Sequence, residues 1–388
     1  MDYKSISLNN LSKVSDVKKK SGLIALTLIV ILIASFYQIR VGSIDERAKQ
    51  VLQKVQEIKG EVQEIRNLTF KESPKIIVIT RQEALEKWGP SEGNIYELRM
   101  WEAIYKMTFL VPPSYNLTKE RKEQTASWIA ATMGNKVYII EENFLESGET
   151  AYRVVAHELI HVLQKQNFNA PYSGPTLDST LAIRALVEGD ADLVADLYCK
   201  RHHIPIEKIT ALYLEDPVWS LNAFPYVFGD KFVQYLYEKG GWDLVNRAYS
   251  KLPVTTQQVM NPEMYLSYTL PENVSLSVRN GGVIHEDTMG EFYVYLLLLV
   301  HNYEEKEAKE IADGWKGDKL ILAQNSTSLI LAWKTAWKDE SSAKEFYNAL
   351  KTIGDNYVKA HPEFELSFTI KQEGRYVIFT VVRRLKNA

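Results

Sequence analysis

Residues 148–166 read GETAYRVVAHELIHVLQKQ, and the reading of this stretch governs the rest of the chain. Apolar residues at 154, 155, 159, 162 and 163 recur at helical spacing. On such a helix His157 and His161 stand at i and i+4 and share one face. Both imidazoles can therefore reach a single tetrahedral metal ion. Glu158 projects beside the first of them, where it can take a proton from a water the metal polarises rather than bind the metal. Val154, Val155, Leu159, Ile160, Val162 and Leu163 bury the motif. An ordinary amphipathic helix carrying two surface histidines is the competing interpretation.

The next helical stretch, residues 179–201 (STLAIRALVEGDADLVADLYCKR), favours the metal. It puts Glu188 and Asp192 four apart on one face, within apolar surroundings. Buried carboxylates without partners are costly, so a positive group should meet them. Zinc and a ligating imidazole would do so, with Glu188 as third ligand and Asp192 accepting the ring N–H of a histidine. Gly189 weakens a helix and suggests the close approach of another backbone. A solvated face carrying Glu188, Asp190 and Asp192 is the alternative.

His157-Glu-x-x-His161, followed 27 residues later by Glu188-x-x-x-Asp192, resembles the gluzincin branch of the zincin metallopeptidases, which includes the thermolysin-like enzymes. The resemblance implies zinc held by His157, His161 and Glu188, Glu158 as general base, and Asp192 behind the first histidine. It implies hydrolysis of peptide bonds in a peptide or protein substrate, by a zinc-bound water that Glu158 activates. Val187-Glu-Gly-Asp-Ala191 and residues 225–245 (PYVFGDKFVQYLYEKGGWDLV) are similar to membrane-anchored relatives in archaea and bacteria. The similarity covers about residues 150–265. No Gly-x-Met-Glu-Asn segment is present, so endopeptidase action is expected over aminopeptidase action. Asn167 stands where another zincin pattern has a third histidine. Gluzincins stabilise the oxyanion with a Tyr or His from the downstream helices. Tyr226, in Phe224-Pro-Tyr-Val-Phe-Gly229, is the candidate, near an expected helix start, with a core-packing tyrosine as the alternative; His202 and His203 are rivals, read as a solvated helix end.

Upstream, residues 21–39 carry no charge over 19 positions. At about 1.5 Å per residue they approach the thickness of a bilayer core. Lys18, Lys19 and Lys20 precede them, so the expectation is a single-pass anchor in the cytoplasmic membrane. Residues 1–20 would then lie inside and everything after residue 40 outside. A cleaved signal peptide is the rival. Residues 292–300 (FYVYLLLLV) are too few to span and read as core helix. Ile44, Ala48, Val51, Val55, Ile58, Val62 and Ile65 form a heptad stripe. It reads equally as a coiled-coil stalk over 40–70, self-associating through 44–69, or as a lone helix laid on the folded domain.

Within 388 residues of 46% hydrophobic composition, the expected class is α+β. A zincin-like domain over 75–275 would be followed by a small α+β module over 288–388. Strands are expected at 75–80 and 135–144, helices at 81–89 and 94–109. The module would hold a helix at 290–312, two strands across a turn at Asn325-Ser326, a helix at 341–357 and two closing strands. A net charge of −3 offers no footprint for nucleic acid. The single cysteine, Cys199, reads as a core thiol and excludes an intrachain disulfide. Besides the peptidase, a non-catalytic zinc-binding scaffold is kept as the alternative; Glu158 argues against it, because structural zinc needs no base.

Overall fold

The computed structural model describes Lys49 and residues 51–88, 92–120, 128–279 and 281–385. The chain forms two compact units, Met1–Gln56 and Glu57–Ala388. Of the first unit, Lys49 and residues 51–56 are described and are helical.

The second unit opens with α1, residues 57–66, then β1 (Lys75–Ile79), α2 (Arg81–Trp88) and α3 (Glu92–Met107). A three-stranded sheet is completed by β2 (Ala130–Met133) and β3 (Lys136–Ile140), in the order β1-β3-β2. β1 runs parallel to β3, and β2 pairs antiparallel with β3 at the edge. The strand expected over 135–144 therefore ends at Ile140. Glu141 and Glu142 instead open helix α4 (Glu141–Ser147), where two acids favour the positive end of the helix dipole.

Three long helices follow: α5 (Thr150–Phe168), α6 (Leu177–His202) and α7 (Pro217–Ser250). Their limits are written locally. Asn169 ends α5 in the left-handed conformation, φ 50°. Thr176 and Ser179 form a reciprocal capping box at the start of α6. Asp216 caps α7, accepting from the Trp219 N–H at 3.0 Å, with Pro217 as first helical residue. α6 is buried along most of its length, Glu188, Asp190, Asp192 and Asp196 included, because it lies between α5 and α7. Gly189 of α6 and Gly229 of α7 meet backbone to backbone: a Cβ on Gly189 would strike the Gly229 carbonyl, and one on Gly229 the Ala185 carbonyl.

Short helices α8 (Thr256–Met260) and α9 (Pro262–Leu266) lead to β4 (Gly282–Asp287), α10 (Gly290–Val300) and α11 (Glu305–Ala312). The single helix expected over 290–312 is thus two. Asn302 adopts φ 63° between them, and His301 bonds the Phe109 carbonyl at 2.8 Å. β5 (Trp315–Gln324), β6 (Ser328–Trp337), α12 (Glu340–Ala360), β7 (Leu366–Glu373) and β8 (Tyr376–Arg384) complete a five-stranded antiparallel sheet in the order β4-β5-β6-β8-β7. One hydrophobic core runs from Ile104 on α3 through α6, α7 and α10 to Val381 on β8. Trp315, Trp333 and Trp337 are fully buried within it and line no groove. Cys199 is buried as expected, and burial pushes its thiol up to about 11.

The α+β class holds, but the transmembrane helix and the single-pass membrane placement are corrected. Among the described residues no helix is long and apolar enough to cross a membrane, and residues 21–39, on which both rested, lie outside those described. Of the heptad stripe, residues 40–48 and 50 fall outside the description, and α1 docks on the long helices. Arg66 bonds Asp190 at 2.7 Å, the Trp242 indole donates to the Ile65 carbonyl at 3.0 Å, and Arg201 reaches Glu64 at 3.1 Å. A buried guanidinium–carboxylate pair of this kind loses far more when one partner is removed than an exposed pair does.

Candidate metal centre

α5 brings His157 and His161 to one point, and α6 brings Glu188 to meet them. His157 Nε2 lies 3.1 Å from His161 Nε2 and 2.9 Å from Glu188 Oε2, and His161 Nε2 lies 3.5 Å from that oxygen. Zinc held tetrahedrally at about 2.0–2.2 Å separates its ligand atoms by about 3.4 Å. The three atoms therefore stand at nearly the spacing one ion requires. Glu188 is buried, at 1% exposure, so its carboxylate needs a positive partner.

The far nitrogens of both rings are engaged. His157 Nδ1 faces Asp192 Oδ1 at 3.0 Å, and His161 Nδ1 faces Gln164 Oε1 at 2.9 Å. Gln164 Nε2 in turn donates to the Val187 carbonyl at 2.8 Å and to Asp190 Oδ2 at 3.2 Å, which aims its oxygen at the ring. With Nδ1–H donated on both rings, the two Nε2 lone pairs converge. Such convergence is what a shared cation satisfies. Asp192 is itself held by Arg153 at 2.8 Å, and Arg153 continues to Asp196.

The electrostatics agree. Burial alone would lower His157, but hydrogen bonds and charge from Asp192 and Glu188 outweigh it and raise the imidazole to about 10. His161 is likewise raised against the pull of burial, chiefly by Glu188. Burial would raise Glu188 and Asp192, yet both are held below the usual carboxylate range. The charge of His161 and the hydrogen bonds from both imidazoles act on Glu188; His157 and then Arg153 act on Asp192. The pocket demands positive charge, from protons or from a divalent cation.

Glu158 differs from Glu188. One carboxylate oxygen and a nitrogen from each of His157 and His161 lie within 4.8 Å of one another, a wider grouping than the triangle with Glu188. The Glu158 side chain has no hydrogen bond or ion pair among the described residues. It lines two cavities, of about 530 and 560 Å³, that meet at the centre. Glu188 thus completes the tight triangle with the two imidazoles, and Glu158 faces the cleft.

Tyr226 also lines both cavities, with its ring 6.1 Å from that of His157 and nearly parallel to it. It stands in the interior of α7, not near its start, because Pro225 is carried inside the helix. Burial pushes its phenol well above the usual value, so the hydroxyl keeps its proton. The rivals are elsewhere: His202 pairs with Glu61 at 2.6 Å, and His203 caps the end of α6.

Three contributors escaped the sequence. Tyr172, on the loop between α5 and α6, is 47% exposed, but its hydroxyl turns inward and donates to Glu188 Oε1. Gln164 follows His161 by three positions on the same helix, and that spacing was the available signal. Thr132, on edge strand β2, donates to the Glu158 carbonyl at 2.9 Å and has no signal beyond that tertiary contact.

Residues 115–169, which include β2, β3 and the motif helix α5, match the model of an eCIS core domain. No curated protein and no solved structure matches the chain. Residues 277–386, which carry the five-stranded sheet, are similar to a domain of unknown function (DUF8575).

Proposed function

We propose that this chain is a zinc-dependent endopeptidase of gluzincin type. The observation that carries the reading is the contrast between two glutamates. Glu188 is buried in a triangle of metal-ligand spacing, while Glu158, one residue from a ligand, faces the cleft without a partner.

His157, His161 and Glu188 would hold the ion. When bound, zinc supplies a Lewis acid that polarises a carbonyl and brings the pKa of water toward neutrality. The remaining chemistry belongs to the chain. Glu158 accepts a proton from the attacking water as its oxygen bonds the scissile carbonyl carbon. It then passes that proton to the leaving nitrogen as the C–N bond breaks. The neutral Tyr226 hydroxyl donates to the oxyanion that develops in between. Tyr172 holds the second oxygen of Glu188 and so fixes the carboxylate's orientation. Among the described residues β2 pairs on one side only, which leaves its other edge able to pair with an extended peptide. The cavities on either side of Glu158 provide room for side chains flanking the scissile bond.

Metal analysis of the full-length protein, combined with a diverse peptide library, tests this reading. One zinc per chain with cleavage of internal bonds is expected. Bound zinc with no cleavage anywhere in the library would return the chain to the zinc-binding scaffold reading.

A further inference from the structure

Three basic side chains line the cavity of about 530 Å³ at the metal cleft, and two of them are fully engaged. Arg153 is bonded to Asp192 and Asp196 at 2.8 Å each. Lys208 meets Asp196 at 2.5 Å and Asp230 at 2.9 Å. The third, Arg184, stands one helical turn before Glu188 on α6, hence on the same face. Its Nε donates to the Tyr172 carbonyl at 3.1 Å, and its guanidinium packs 4.9 Å from the centre of the Tyr172 ring. No carboxylate among the described residues pairs with it.

Arg184 also forms the partition between two spaces. With Asn222 it lines both the cleft of about 530 Å³ and a neighbouring cavity of about 580 Å³. The far cavity contains Tyr105, Thr180 and His285. Its one buried carboxylate, Asp287, is already committed, accepting from the Leu177 and Thr288 N–H groups at 2.7 Å and from His285 at 2.8 Å. Glu97 stands exposed at its margin.

A guanidinium presents its donors in a rigid fork that matches a carboxylate. Here packing over the Tyr172 ring and the single Nε bond hold the group in place, and among the described residues neither terminal nitrogen has a hydrogen-bond partner. It is thus preorganised beside the reacting centre, on the same tyrosine that steadies Glu188.

We infer that Arg184 determines specificity by receiving a carboxylate of the peptide in the cleft, either an Asp or Glu side chain or the C-terminal carboxylate. This rests on the peptidase reading and adds the substrate class: peptides that present a carboxylate to the cleft.

The test uses full-length, zinc-loaded protein and matched peptide pairs, in which Glu is replaced by Gln or the C-terminus is amidated. Equilibrium binding is measured on the Glu158→Gln protein by fluorescence anisotropy, and cleavage on the wild type. One of the two replacements should weaken binding and lower kcat/KM by about tenfold or more, as expected for a charge-assisted pair; which one does so identifies the source of the carboxylate. In Arg184→Gln the ratio within that pair should fall to about one, and in Arg184→Lys it should be intermediate, because the charge stays but the fork is lost. Zinc content, read on every variant, reports the Tyr172 clamp separately. The inference is overturned by a wild-type ratio near one for both replacements, or by a ratio unchanged in Arg184→Gln. It is equally overturned if Arg184→Gln weakens both members of the pair alike. If the wild type cleaves nothing, the peptidase reading fails, and the binding ratio still decides the role of Arg184.

Discussion

The Thr132 hydroxyl donates to the backbone carbonyl of Glu158 at 2.9 Å, so the edge strand of the small sheet is tied to the residue that follows His157. The bond links the edge of β2 to the proposed base. Thr132→Val keeps the β-branched shape and removes the donor. An intramolecular hydrogen bond of this kind is worth about 1 kcal/mol. Peptide cleavage should fall by roughly fivefold, with zinc content unchanged. Metal analysis beside steady-state kinetics checks it; loss of zinc would mean that the bond supports the ligands and not the strand.

The residues behind the ligands should act on affinity, not on stoichiometry. Asp192→Asn and Gln164→Leu each disturb the partner of one ring nitrogen, and Tyr172→Phe frees the second oxygen of Glu188. Each should weaken zinc binding by about 10–100-fold, the range usual for groups that orient metal ligands. Competition against a chromophoric chelator measures this. An unchanged affinity in Gln164→Leu would remove it from the support of His161.

Where α6 crosses α7, neither glycine has room for a methyl group, because the obstructing atoms are backbone. Gly189→Ala or Gly229→Ala should destabilise the fold by on the order of 3 kcal/mol, the upper range for overpacking. Denaturant titration followed by circular dichroism provides the number. A loss under about 0.5 kcal/mol would show that the helices separate easily.

Away from the metal centre, Asp178, Glu291 and Asp318 are buried near one another. Burial pushes them up to about 8, 7 and 6 respectively. An unfolded carboxylate titrates near about 4, so between about pH 4 and 8 the native state binds protons that the unfolded chain releases. Stability from these groups is fully present below the unfolded value and is lost as pH rises through the folded values. In chelator, the denaturation midpoint should fall from about pH 5 to about pH 8, and less steeply in Asp178→Asn. Parallel slopes for the two proteins would exclude Asp178 from the titration.

The part of the site written at helical spacing was legible beforehand. His157, Glu158, His161, Glu188 and Asp192 lie on two helices whose periodicity is fixed by the backbone, so their meeting needed only the two helices to pack. Gly189 signalled that packing in advance. What escaped depends on the third dimension. β2 reads Ala-Ala-Thr-Met, without a strand-like pattern, and is a strand because β3 lies beside it. Tyr172 is one of 22 tyrosines, on a loop with no period. The stripe of α1 has the same spacing whether it faces a second chain or its own domain, and only the partners of Arg66 and Ile65 separate the two.

The most direct measurement is made on Glu158→Gln. The amide keeps the shape of the side chain but cannot accept a proton at neutral pH. Because Glu158 stands outside the ligand triangle, zinc content and denaturation midpoint should match the wild type. Hydrolysis of library peptides should fall by about a hundredfold or more, the lower end of what a positioned acid–base group contributes. Wild-type hydrolysis by the zinc-loaded Glu158→Gln protein would contradict the assignment of Glu158 as the base, and with it the peptidase mechanism.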